Sequence, residues 1–129
     1  MSDDAAQRLR AAIVRATEGA SDGADVVPLF LEATLVIPSG APVGQRFDGF
    51  QPVLYDRDGT PMLAVFTHVE RIGSVGRLAP YAVSMTGAQL VVRMPPETGL
   101  VVDPGHRHGF ELPPHGVASL SAELARGEA

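Results

Sequence analysis

The chain has 129 residues, enough for one domain with its own core, and its hydrophobic content of 45% excludes general disorder. Its net charge of −5 argues against nucleic-acid binding, because an acidic chain repels phosphate backbones. The absence of cysteine and lysine excludes disulfides, thiolate metal sites and Schiff-base catalysis, and no apolar run approaches the roughly 18 residues that span a bilayer.

Two helices are expected at the start of the chain. Ser2 or Asp3 can cap a first helix that runs to about Glu18, and Asp25 can cap a short second one. We assign residues 1–23 to an N-terminal helix and loop, residues 24–126 to the main domain and residues 127–129 to a tail. The polar, acidic beginning does not resemble a secretory signal, so a cytoplasmic protein without membrane attachment is expected.

The centre of the chain predicts a β-hairpin. A β-branched run from Thr34 to Ile37 is typical of a first strand, and a glycine-rich loop follows it. The hairpin then spans residues 50–67, with a short bulged loop expected at Asp56-Arg57-Asp58-Gly59. Its second arm, Met62 to Phe66, is apolar at every position, which predicts a strand that is covered on both faces.

The second half of the chain alternates short helices and strands. Two capping boxes are predicted, Thr67 with Glu70 and Thr86 with Gln89, the latter opening a helix to about Met94. Further elements are strands at residues 81–85, 100–102 and 110–112 and a last helix at residues 115–126. The order of elements predicts a single α+β (mixed α/β) domain, with helices packed on a mixed sheet of about five strands that has the hairpin at its centre.

Several short segments also resemble, in order and spacing, the N-terminal domain of the SseB family, named for enhanced serine sensitivity in bacteria. The matching segments are Leu35-Val36-Ile37-Pro38, Asp58 to Thr67 with Glu70, Pro80-Tyr81-Ala82-Val83, Leu100 to Gly105 and Glu111-Leu112-Pro113. The resemblance covers residues 24–125 and implies an α/β module with no established catalytic residues to carry over. The chain departs from the family pattern at residues 105–109, which hold two histidines where small or apolar residues are expected.

Histidines near the C-terminus suggest a metal site. His106 and His108 would share one side of an extended segment, and His115 can be a third ligand, with Asp103 or Glu111 supplying oxygen. This pattern supports a metal-binding protein or metal-dependent hydrolase as one hypothesis. A plain solvated turn, or an interaction surface, explains the same residues without any metal.

The absence of a catalytic constellation favours a different hypothesis, a small non-enzymatic module that needs no cofactor and binds another protein or itself. Its predicted surface combines the loop at residues 39–50 with the turn at residues 103–109. The residues of this surface are Phe47, Phe50, Tyr55, His106, Arg107 and His108. Aromatic side chains beside a long loop are typical of a binding surface. The acidity and small size also suggest an immunity or antitoxin-like partner of a basic protein.

Overall fold

The computed structural model describes residues 2–45 and 48–127, in ten helices and strands and two 3₁₀ turns. In chain order these are α1 (Ser2–Thr17), α2 (Val26–Glu32), β1 (Thr34–Ser39), β2 (Leu54–Arg57), β3 (Thr60–Val65), the 3₁₀ turns Val69–Arg71 and Gly73–Arg77, β4 (Tyr81–Thr86), α3 (Gly87–Val91), β5 (Gly99–Val102), β6 (Phe110–Leu112) and α4 (Pro114–Ala125). The predicted α+β class and the single small domain are confirmed.

The strands form two sheets. The larger has the order β2-β3-β5-β6, in which β3 and β5 are parallel and the other pairs are antiparallel. The smaller is the antiparallel pair β1-β4. Val36 and Phe66 join the two sheets by reciprocal backbone hydrogen bonds of 2.8 and 2.9 Å.

The expected single sheet of about five strands is therefore corrected to one sheet of four strands and one of two. The reason lies at one edge of β3. The segment leading into β2 occupies that edge as far as Ala64, whose amide donates to the carbonyl of Val53. Strand β1 can join the same edge only beyond this point, at Phe66.

The central hairpin is confirmed, but its loop is tighter than expected. Arg57 pairs with Thr60, which leaves only Asp58 and Gly59 in the turn. Both turn residues have positive φ, 53° and 89°. This combination defines a type I′ turn, whose twist matches that of the flanking strands, so the expected bulge is absent.

Strand β3 is covered on both faces, as its apolar sequence predicts. Leu63 and Val65 point into the main core beneath the helices. Met62 and Ala64 alternate with them and are buried on the opposite face. On that face lie Tyr55, which pairs with Met62 across the hairpin, and the salt bridge between Arg57 and Glu111.

The helices cover the inner face of the sheets. Helix α1 buries one apolar stripe, formed by Ala6, Leu9, Ala12 and Ile13. From α2, the ring of Phe30 meets Phe110 of β6 edge-on, with 5.7 Å between ring centroids. None of the helices in the described part of the chain is long and apolar enough to cross a membrane.

Of two predicted helix caps, one forms as expected and the other does not. The capping box at Thr86 and Gln89 is confirmed by both of its hydrogen bonds, although α3 ends at Val91 rather than near Met94. Asp25 occupies the N-cap position of α2, but its carboxylate makes no capping bond. It pairs instead with Arg15 of α1 at 2.9 Å, which links the first two helices.

Replacement of Gly87 by alanine should destabilise the fold. A Cβ atom at this position would lie 2.1 Å from the carbonyl oxygen of Phe30, so α2 and α3 would have to separate. Overpacking of this kind costs about 1–3 kcal/mol. We expect Gly87→Ala to lower the urea midpoint accordingly. Gly76→Ala is the matched control, because its nearest neighbour would be a methyl group at 3.7 Å. Equal midpoints for the two variants would contradict the close approach of α2 and α3.

Candidate functional site

The carboxyl ends of the parallel strands β3 and β5 lie side by side. Thr67 follows β3 and Asp103 follows β5, and the amide of Asp103 donates to the carbonyl of Val65 at 2.8 Å. In sheets with parallel strands, ligands bind preferentially outside this edge. The two loops that begin here therefore form a candidate functional site.

Asp103 is the centre of a buried hydrogen-bond network at this edge. Its residue exposure is only 1%. One carboxylate oxygen accepts from the amide of Thr67 at 2.8 Å, and the other accepts from the Thr67 hydroxyl at 2.7 Å. The second oxygen also receives a guanidinium N–H of Arg71 at 3.3 Å. Three donors from one loop thus hold a carboxylate that belongs to the other loop.

The backbone at Asp103 is bent to make this possible. Its φ is 54°, in the left-handed region that aspartate and asparagine tolerate better than most residues. Gly109 then returns the loop against β5. A Cβ atom there would lie 2.4 Å from the carbonyl oxygen of Val102, so only glycine fits without a shift.

His106 adds a second link between the same two loops. Its Nε2 lies 2.7 Å from the carbonyl oxygen of Arg71. Because a carbonyl can only accept, this nitrogen carries the hydrogen and donates it. His68 shows the opposite arrangement, since its Nδ1 accepts from the amide of Glu70 at 3.1 Å. Both histidine side chains therefore form hydrogen bonds with backbone groups of this region.

The predicted capping box of Thr67 with Glu70 is wrong. The N-cap of the 3₁₀ turn is His68, one residue later, and the Thr67 hydroxyl is used by Asp103. A buried carboxylate is a stronger acceptor for a hydroxyl than a capping interaction offers, because its charge must be compensated. The tertiary contact replaced the local one.

The hydrogen bonds of Asp103 with Thr67 and Arg71 connect the two loops, and we call this network the latch. The carboxylate of Asp103 is buried and each of its oxygens already accepts at least one hydrogen bond, so it offers no exposed atom to a substrate. The latch fixes the positions of the surrounding surface.

The three histidines of the metal hypothesis are not brought together. His106 contacts the carbonyl of Arg71, whereas Nε2 of His108 lies 3.6 Å from Glu18 at the end of α1. His115 is exposed on the first turn of α4. Within residues 2–45 and 48–127, no group of three or more histidine, aspartate or glutamate side chains is placed to hold a metal ion.

The predicted interaction residues are distributed over several surfaces. Phe47 lies outside the described residues. Phe50 packs against the main core from one side of the sheet, while Tyr55 is on the other side, beside the turn at residues 103–105. Arg107 is exposed on the same loop as His106 and His108. Phe50 and Tyr55 therefore do not form one patch.

Phe50 instead lines an apolar groove between the two sheets. The groove has a volume of about 480 Å³. Its lining comprises Phe50, Pro52, Leu54, Leu63, Met85, Leu90, Arg93, Met94, Pro95 and Thr98. We call this feature the inter-sheet groove. Its floor is formed by buried residues of β3, β4 and α3, while Leu54 at its rim is 52% exposed.

Comparison with known proteins assigns the chain at family level. The model of the SseB protein N-terminal domain matches residues 9–119, most of the chain. The chain belongs to the SseB family. No curated protein and no solved structure matches it significantly. The resemblance inferred from short sequence segments is thereby confirmed.

Sequence reasoning missed both the latch and the inter-sheet groove. Thr67 and Asp103 each follow an apolar strand, and this shared position was a usable signal for the latch. Arg71 carries no comparable signal, because its contact depends on the course of the 3₁₀ turn. The groove joins Met85, Leu90 and Met94 to the hairpin, and that contact depends on how the two sheets meet.

Removal of the Asp103 carboxylate should unlock the two loops. Asp103→Ala leaves the amide and hydroxyl of Thr67 buried without an acceptor, and we expect a loss of about 3 kcal/mol in the free energy of unfolding. Asp103→Asn keeps one acceptor oxygen and tolerates the positive φ, so it should lose about half as much. Denaturant unfolding measures both variants. Exposed Asp56→Ala is the control, and the latch would be refuted if Asp103→Ala were equally neutral.

Proposed function

We propose that this SseB-family domain is a cytoplasmic, non-enzymatic interaction module that binds an apolar segment of a partner protein in the inter-sheet groove. The observation that carries the proposal is the groove itself. Its volume lies within the range of ligand-binding clefts, and its lining is mostly apolar. An opening of this kind, continuous with the core, is the usual form of a docking site.

The arrangement of polar groups supports binding rather than catalysis. The buried carboxylate of Asp103 is held by Thr67 and Arg71. Among the described residues that line the groove, the polar ones are Arg93 and Thr98, and neither is a general base. A mostly apolar groove that has no general base is suited to recognition and not to catalysis.

The shape of the groove indicates what it would accept. Phe50, Leu54 and Met94 line it with flexible or flat apolar surfaces, which adapt to leucine, methionine or phenylalanine side chains of a partner. Arg93 is exposed beside them.

A charge placed at the rim of the groove should abolish partner binding. Leu54→Asp is expected to weaken the affinity for a purified partner at least tenfold, because the carboxylate would lose its hydration in the complex. Val92→Asp is the matched control, since both side chains are 52% exposed and Val92 is absent from the groove lining. The partner is first isolated by affinity purification from host cells, and binding is then measured by titration calorimetry.

The result distinguishes the groove from the rest of the surface. Loss of binding in Leu54→Asp with normal binding in Val92→Asp supports the proposal. Equal binding by the wild type and both variants overturns it. His106→Ala in the same titration tests whether the turn at residues 103–109, predicted as part of the surface, contributes to the affinity.

A further inference from the structure

The two sheets leave three strands with an open edge among the described residues. They are β2 and β6 in the four-stranded sheet and β4 in the two-stranded sheet. Strand β1 is different, because its second edge meets Phe66 and Pro52. An open edge presents unpaired N–H and C=O groups, which can add a strand from another chain.

Two of the three edges carry charges that oppose such pairing. Strand β2 contains Asp56 and Arg57, and β6 is only three residues long and contains Glu111. Charged side chains and short length are the usual means by which proteins protect edge strands. Both devices are therefore present on the four-stranded sheet.

Strand β4 has neither device. Its six residues, Tyr81 to Thr86, include no charged residue and no proline, and Tyr81, Ala82 and Ser84 are exposed. The chain as a whole has a net charge of −5, so two copies repel each other across most surfaces. The uncharged edge of β4 is where a second copy can approach with the least repulsion.

Pairing of β4 with itself also satisfies two-fold symmetry. In an antiparallel pair centred on Ser84, this residue would lie opposite Ser84 of the second copy. Hydroxyl side chains that face each other across a strand pair can hydrogen-bond and are favourable cross-strand partners. In this pairing each chain uses the one edge within residues 2–45 and 48–127 that lacks both protective devices, so the assembly closes at two copies and does not extend into a fibre.

Apolar side chains beside β4 supply additional contact area. A six-residue strand is only about 20 Å long, whereas stable interfaces bury about 800 Å² per partner. Next to the start of β4, Val69, Leu78 and Tyr81 are exposed, and Leu78 reaches 78%. A shallow depression lined by Val69, Ile72 and Ala82 adjoins them. This apolar margin therefore extends the contact surface beyond the strand edge.

We infer that the free edge of β4 is a homodimer interface, in which two copies of this chain join their two-stranded sheets into one antiparallel four-stranded sheet. The occupant is a second copy because β4 carries no charge that would oppose a copy of itself, and its antiparallel self-pairing obeys two-fold symmetry. An extended peptide from another protein would use the same backbone groups, and the oligomeric state separates the two.

The oligomeric state tests this interface. We expect the wild type to sediment as a dimer at micromolar concentration and to dissociate on dilution. Ser84→Lys places like charges across the symmetry axis and should raise the dissociation constant at least tenfold, while Ser84→Thr, which keeps a β-forming residue, should remain dimeric. Leu78→Glu is a second test at a side chain so exposed that folding is not at stake.

The absence of cysteine makes a direct proximity test possible. Under mild oxidation, Ser84→Cys should form an inter-chain disulfide, because residues across an antiparallel pair lie within reach of one another. Val92→Cys is also at an exposed position but lies at the end of α3, outside β4, and should not. The inference is overturned if the wild type remains monomeric at 100 times the micromolar concentration used for sedimentation. It is also overturned if the dimer persists in both Ser84→Lys and Leu78→Glu. A monomer that binds only a heterologous strand overturns it as well.

This interface does not depend on the inter-sheet groove. Leu54→Asp changes the groove and leaves β4 intact, so it should lower partner affinity while the dimer persists. Ser84→Lys should do the reverse. Failure of one proposal is therefore visible separately from failure of the other.

Discussion

The fold is organised by one constraint, which is that both faces of the apolar strand β3 must be shielded from water. Strand β3 is apolar at Met62, Leu63, Ala64 and Val65, so burial on one face alone would leave hydrophobic surface in water. The helices cover one face, and Tyr55 with the Arg57–Glu111 salt bridge lies on the other. Its edges are used in full as well, because β5 takes one side while β2 and then β1 share the other. The division into two sheets follows from that sharing of a single edge.

The loops beyond β3 and β5 are held by a charge rather than by apolar contacts. A carboxylate inside a protein is costly unless it is compensated, and Asp103 is compensated by donors that all come from the loop after β3. The hydrogen bond from His106 to the carbonyl of Arg71 also connects these two loops. At this end of the parallel strands, the carboxylate is thus used by the protein's own hydrogen-bond donors. The surfaces that we propose for recognition are the inter-sheet groove and the edge of β4.

These two surfaces differ in the physical force that would drive binding. The inter-sheet groove offers apolar area from Phe50, Leu54 and Met94 and would gain affinity by excluding water. The edge of β4 offers backbone hydrogen bonds, which are directional and favour an extended partner. The first surface suits a partner of different sequence, and the second suits an identical copy. An acidic domain with no exposed catalytic constellation among its described residues can use both at once, because they are distinct surfaces.

The sequence by itself determined the local elements and the family. Its apolar run predicted the buried strand β3, the segment Asp56 to Gly59 the hairpin, Thr86 and Gln89 the capped start of α3, and the order of short motifs the SseB family. These features depend on residues close together in the chain. Only the tertiary structure decided the split into two sheets, the partner of Thr67, the separation of His106 from His108, and the opposite placement of Phe50 and Tyr55. Each of these depends on contacts between distant segments, whose energies of burial and charge compensation exceed the local preferences that a sequence pattern records.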